Sequence, residues 1–173
     1  GFFMYNQHEL NEVLIKLRDN KKKTLLLGVT YALLDFATAY KIYFPNLVVM
    51  ETGGMKGRGK EITRGEVHHQ LNEAFGTTQV HSEYGMTELL SQAYSKQNGL
   101  FCCPPWMQVF VRDIHDPFSY VENGKTGALN VIDLANLHSC SFIATDDLGR
   151  TDFNGNFEVL GRNDVSEVRG CNL

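Results

Sequence analysis

From residue 7 to residue 82 the chain alternates helical and strand-like patterns, and no other feature of the sequence limits the fold as tightly. Leu10, Val13, Leu14 and Leu17 fall at i, i+3, i+4 and i+7, which places them on one face of a helix from about Gln7 to Asp19. Thr24 to Thr30 follow as an apolar run short enough for a buried strand. Helical spacing returns from Tyr31 to Tyr43, and Leu47 to Met50 form a second strand that stops at Gly53-Gly54. Thr63-Arg-Gly-Glu66 is a capping box, behind which Val67, Leu71, Ala74 and Phe75 mark a helix ending at Gly76. Gln79 to Ser82 read as another short buried strand. Helices alternating with apolar strands predict an α/β fold, a mostly parallel sheet covered by helices.

Beyond this point Leu89, Leu90, Ala93 and Tyr94 recur at i, i+1, i+4 and i+5, which predicts a further helix running to Gly99. After Gly99 the pattern changes. Gln108–Ile114, Ala128–Leu134, Phe142–Thr145 and Phe157–Leu160 read as short strands, separated by Asn123-Gly124, Thr126-Gly127 and Asp152–Gly155 turn chemistry. The expected architecture is one domain over 1–173, with an α/β part at 1–100 and a β-rich unit of hairpins at 101–173. No repeat, low-complexity segment or linker interrupts it.

Composition excludes several function classes. With 43% apolar and 11% aromatic residues in a chain of 173, a real core can form. A formal net charge of −4 provides no broad cationic field, so nucleic acid and anionic membranes are not expected partners. Lys21, Lys22 and Lys23 form the one basic run and read as a solvated loop. No apolar stretch reaches the roughly 18 residues that a membrane span needs. Asn6, Gln7, His8 and Glu9 follow the apolar Phe2–Tyr5 at once, so no signal peptide is expected. Four unevenly spaced cysteines then suggest reduced thiols and a cytoplasmic protein.

The chemistry concentrates in His81-Ser-Glu-Tyr-Gly-Met-Thr-Glu88, where an aromatic, a glycine, a hydroxyl and a carboxylate follow a strand. If Thr87 and Glu88 opened a helix, its free N–H groups and dipole would favour phosphate, with the Glu88 carboxylate as a ligand for Mg²⁺. Tyr84 could then lay its ring on a base.

Tyr84-Gly-Met-Thr-Glu88 resembles the adenylation signature of the superfamily that contains acyl-CoA synthetases, luciferases and the adenylation domains of peptide synthetases. Ala144-Thr-Asp-Asp-Leu-Gly-Arg150 is similar to that family's Thr-Gly-Asp segment, and Gly161-Arg-Asn-Asp164 to its hinge segment. With the ending Ser166–Leu173, the run from about Leu25 onward most resembles acyl-protein synthetases, the fatty-acid-activating component of bacterial luminescence reductase complexes. Phenylacetate-CoA ligases are the next nearest. The resemblance implies a fragment of the large domain of an adenylate-forming enzyme that uses ATP and Mg²⁺. It implies a nucleotide site of Gly53, Gly54, Met55, Tyr84, Gly85, Met86, Thr87, Asp147 and Arg162. Thr87 and Glu88 would be catalytic, Glu88 would hold Mg²⁺, and Asp164 would be the hinge. Asp147 would accept both ribose hydroxyls, although Asp146 stands where the family more often has glycine and could share that role. Cys171, beside Arg169 and Gly170, would carry the acyl group.

Other motifs admit plainer readings. Gly54-Met-Lys-Gly-Arg-Gly-Lys60 matches the start of a P-loop, yet Glu61 stands where Ser or Thr is needed for Mg²⁺. The resemblance makes this segment instead a glycine-rich turn between acyl and adenine pockets. Tyr31 is a pocket wall by resemblance or a core aromatic. Cys102, Cys103, His138 and Cys140 could be drawn as a zinc set, but neighbouring strand residues point to opposite faces, which favours buried thiols. His68 and His69 diverge on a helix in the same way.

The expected function is therefore the C-terminal portion of an ATP-dependent ligase that forms an acyl-adenylate from a fatty or other carboxylic acid and passes the acyl group to a protein thiol. The alternatives are an acyl-CoA ligase and a non-catalytic module that docks on a reductase or acyltransferase. An N-terminal half carrying the triphosphate-gripping loop is an expected partner, and the fragment alone is expected to be inactive.

Overall fold

The structure, a computed structural model, describes residues 1–55, 62–96 and 98–163. They divide into two units, Gly1–His81 and Ser82 onward.

In the first unit, helix α1 (Gln7–Asp19) is capped by Asn6, whose side chain accepts from the Glu9 N–H. Strands β1 (Thr24–Val29) and β2 (Leu47–Thr52) pair in parallel, Thr24 opposite Leu47 through Val29 opposite Thr52. Between them in sequence lies α2 (Thr30–Ala39), and α3 (Arg64–Phe75) follows β2 behind the expected Thr63/Glu66 capping box. Leu14, Leu26, Leu33, Phe36, Leu47, Val49, Leu71 and Phe75 fill the core.

α2 ends at Ala39, four residues short of the helix expected to Tyr43. Tyr40 is extended, and beyond it Ile42 and Phe44 are buried while Lys41 and Tyr43 are exposed, the alternation of a straight segment. The N–H groups of Ile42 and Phe44 donate to Ala74 and Phe75 carbonyls at 2.9 and 2.7 Å. The segment thus satisfies carbonyls that the end of α3 leaves unpaired. Gly76 closes α3 at φ 60°, and a Cβ there would run into the Tyr43 ring.

Strand β3 (Val80–Tyr84) carries the chain from one unit into the next. The helix expected from Thr87 to Gly99 is absent: residues 87–88 turn, and β4 (Ala93–Ser95) pairs antiparallel with β3, Tyr84 opposite Ala93. The pattern of burial shows why. Leu89, Ser91, Ala93 and Ser95 point inward while Leu90, Gln92, Tyr94 and Lys96 point outward, a strand period that two buried serines conceal.

The remaining strands of the second unit are β5 (Leu100–Phe101), β6 (Met107–Arg112), β7 (Gly127–Asp133), β8 (Phe142–Thr151) and β9 (Phe157–Arg162). They form an antiparallel sheet in the order β5-β9-β8-β7-β6. β8 continues six residues beyond the expected end at Thr145, and a short 3₁₀ helix (Leu134–Asn136) follows β7. Leu89, Phe101, Val109, Leu129, Val131 and Phe157 form this unit's core. Parallel pairing under helices followed by an antiparallel hairpin unit is the fold class the sequence implies.

Candidate nucleotide site

The second unit brings together three of the expected site residues, Tyr84, Asp147 and Arg162. Tyr84 ends β3, and its hydroxyl donates to Asp147 Oδ2 at 2.8 Å. Asp147 pairs across β8 and β9 with Arg162, whose Nε lies 3.3 Å from Oδ1. One carboxylate therefore holds a phenol on one oxygen and a guanidinium on the other. Burial pushes the Tyr84 phenol far above its ordinary range, and the Asp147 charge adds to the shift, so Tyr84 is a permanent donor here.

Tyr84 differs from the expected base platform. Its residue is 9% exposed, with the ring 5.2 Å from Phe157 in an edge-on contact and 6.0 Å from Phe101. Little of its face is open to a base. What it contributes is a fixed hydroxyl on Asp147.

Asp146 and Asp147 are sorted by the strand. Asp146 is exposed, and its backbone carbonyl accepts from the Asn163 N–H at 2.9 Å. Asp147 shares a side of β8 with buried Thr145, whose hydroxyl accepts from the Asp147 N–H at 3.1 Å. The carboxylate that meets Tyr84 and Arg162 is Asp147.

Thr87 and Glu88 lie exposed in the turn after Met86, where the Leu89 N–H donates to the Met86 carbonyl at 3.1 Å. With no helix there, the expected dipole and row of free N–H groups are absent. Position comes from elsewhere. Asn136 Nδ2 donates to the Glu88 carbonyl at 2.8 Å and to the Cys140 carbonyl at 3.0 Å. Asp133, fully buried, accepts from the N–H groups of Leu90 (2.9 Å), Ser91 (2.8 Å) and Ala135 (3.1 Å) and from the Ser91 hydroxyl (2.7 Å). Burial alone would raise the Asp133 pKa, but these hydrogen bonds outweigh it and hold the carboxyl below its ordinary range. Sequence reasoning missed Asp133 and Asn136. The signal available was an Asp before a short helical turn, Asp133-Leu-Ala-Asn136.

Gly53, Gly54 and Met55 belong to the first unit, the two glycines at φ 74° and 60° and Met55 packed on that unit's core. Glu51, two residues before Gly53, is buried and accepts from the Thr30 hydroxyl at 2.5 Å, with Arg64 Nε at 3.7 Å and His68 Nε2 at 3.8 Å. His68 and His69 diverge as expected, His69 meeting Glu73 instead. The rest of the P-loop-like segment, the expected hinge residue Asp164 and Cys171 lie outside the described residues. Cys102 and Cys140 are exposed rather than buried, since each lies where a strand end meets solvent, and Cys103 is half-buried with its thiol pushed up to about 11 by burial. Among the described residues no group of three or more His, Cys, Asp or Glu could hold a metal ion. No helix among them is long and apolar enough to cross a membrane.

No family model matches the chain, and no curated protein matches it. Solved structures do. ATP-bound MatB from Rhodopseudomonas palustris aligns with a TM-score of 0.64 at 17% identity, over 88% of this chain and 33% of that one. O-succinylbenzoate coenzyme A synthetase (MenE) from Bacillus subtilis, in complex with AMP, aligns with a TM-score of 0.60 at 19% identity, over 92% and 35%. A benzoate CoA ligase from Burkholderia xenovorans aligns with a TM-score of 0.57 at 15% identity, over 88% and 34%. At such identities the likeness is one of fold. This chain has the fold of part of these ligases and spans about a third of their length.

Proposed function

We propose that the chain is the nucleotide-binding portion of an ATP-dependent ligase that activates a carboxylic acid. The observation that carries this reading is Asp147, a partly open carboxylate with both oxygens on side-chain partners, in a fold otherwise seen in ATP- and AMP-bound ligases. In the reaction a substrate carboxylate oxygen attacks the α-phosphorus of ATP, the bond to the β-phosphate breaks, and pyrophosphate leaves. A thiol then attacks the acyl carbon and AMP departs. Asp147 would accept the two ribose hydroxyls in bonds that a charged acceptor strengthens to roughly 1.5–3 kcal/mol each. Arg162, displaced from Asp147, would turn to the nucleotide. Thr87 and the exposed Glu88 suit a Mg²⁺ held by one carboxylate plus substrate phosphates, and the ion would neutralise charge on the phosphates. By the sequence resemblance Gly53, Gly54, Met55, Gly85 and Met86 would belong to the nucleotide site, and Asp164 would serve as the hinge.

The finer reading is an acyl-protein synthetase that transfers a fatty acyl group to Cys171, with an acyl-CoA reductase or acyltransferase as partner. It rests on the sequence resemblance. A rival has an observation of its own: solved structures of the same fold include coenzyme A ligases, which favours coenzyme A as the acceptor. ATP–pyrophosphate exchange with decanoate or tetradecanoate tests activation. Exchange is expected in the complete protein, lost in Glu88→Gln, and absent from the 173-residue chain alone. Exchange by that chain alone overturns the proposed division of labour. A hydroxylamine-sensitive acyl group that disappears in Cys171→Ser, with exchange retained, identifies the protein thiol; acyl-CoA formation with no acyl-protein identifies the rival.

A further inference from the structure

We infer that Arg112 and Thr145 are positioning residues for Asp147, stitching an irregular turn of β8 that aims its carboxylate. The inference rests on the nucleotide reading above. Between the paired positions Ala128–Leu148 and Asn130–Ala144, β7 supplies Leu129 alone while β8 supplies Thr145, Asp146 and Asp147. β8 therefore bulges where Asp147 stands, and its register with β9 also shifts, between Leu148 and Gly149. Bulges of this kind re-aim side chains, at the cost of ladder bonds lost around them.

Here the open groups are collected by two side chains. The Thr145 hydroxyl donates to the Leu129 carbonyl at 2.9 Å and accepts from the Asp147 N–H at 3.1 Å, so one buried oxygen bridges the bulge. Arg112 reaches from β6 across β7. Its guanidinium donates to the Leu129 carbonyl (3.3 Å), Asn130 Oδ1 (2.9 Å) and, on the far side, the Thr145 carbonyl (2.9 Å). A planar fork with five donors can hold three acceptors at fixed angles on two strands; a lysine ammonium cannot. Leu129 O, Thr145 O and Asp147 N are thus tied to one another, and the carboxylate that follows on the Asp147 side chain is delivered to Tyr84 and Arg162.

The test is ATP–pyrophosphate exchange in the complete protein, comparing ATP with 2′-deoxy-ATP. Asp147→Ala serves as the benchmark and is expected to raise the KM for ATP about tenfold or more and to erase discrimination against the deoxy nucleotide. Thr145→Val, which keeps shape and loses the hydroxyl, is expected to raise the ATP KM about tenfold with kcat within about twofold, and to lose the same discrimination. Arg112→Lys is expected to follow it, and Thr145→Ser to behave as the parent. A general folding defect would lower active enzyme without touching discrimination. If Asp147→Ala leaves the ATP dependence unchanged, the nucleotide reading falls. If Asp147→Ala erases discrimination while Thr145→Val and Arg112→Lys retain it, or if Thr145→Ser fails as Thr145→Val does, the positioning inference falls and the nucleotide reading stands.

Discussion

Two aspartates of the second unit solve the same problem in opposite ways. Asp133, at the end of β7, is fully buried, and three of its four donors are backbone N–H groups that cannot leave without unfolding the chain around them. Asp147, in the middle of β8, is partly open and holds a fixed phenol on one oxygen and, on the other, an exposed guanidinium able to move aside. Saturation by backbone makes a carboxylate architecture; a mobile side-chain partner leaves one oxygen exchangeable for a ligand. The contrast separates a residue that shapes the site from one that can serve in it.

Stability measurements can break this contrast. Asp133→Ala is expected to have the largest effect, about 3 kcal/mol or more by urea unfolding, because several buried donors lose a charged acceptor at once. Asp147→Ala is expected to cost about 1 kcal/mol, since Arg162 can turn to water and the Tyr84 phenol alone loses its acceptor. Equal losses in the two variants would end the distinction. Gly149→Ala falls between, at about 2 kcal/mol, because a Cβ there runs into the Glu158 carbonyl and the Leu129 side chain with no room to yield. Its unfolding midpoint checks that figure.

Titration sharpens the same comparison. The Asp133 pKa is depressed in the folded state, so its contribution is complete above the ordinary carboxylate value of about 3.9 and is lost as pH falls below it. Asp133→Asn should flatten the acid limb of the stability curve below about pH 4. Tyr84 has the opposite sign: its folded pKa is raised, so its contribution is complete below about pH 10 and is lost as pH rises beyond it. Tyr84→Phe should reduce the alkaline loss while costing no more than about 1 kcal/mol at neutral pH. An alkaline limb unchanged in Tyr84→Phe would mean that the phenol is not sealed as described.

The first unit was largely legible in the sequence because its signals are local. Asn6 and the Thr63/Glu66 box mark helix starts, Gly76 marks an end, and the Leu10–Leu17 stripe gives the buried face. The misreadings came where burial was polar or register was irregular. Ser91, ahead of β4, and Ser95, at its end, are buried inward-facing serines, so apolar periodicity alone suggested a helix through them. Site residues Tyr84, Asp147 and Arg162 were named from their motifs, but their mutual contacts depend on a bulge that nothing in the local sequence announces. Arg112 was a lone cation closing an alternating strand, and only a tertiary acceptor set distinguishes it from a solvated arginine.

One amide carries a larger consequence than its size suggests. Asn136 spends both hydrogens on carbonyls 52 residues apart in sequence, those of Glu88 and Cys140. The acidic turn thus borrows its rigidity from a connection that belongs to another hairpin. Lengthening the Leu137–Ser139 stretch, which looks like a harmless surface change, would slacken the backbone at Glu88 before it disturbed any strand, so the reach of that carboxylate is set as much by a neighbouring loop's length as by its own sequence.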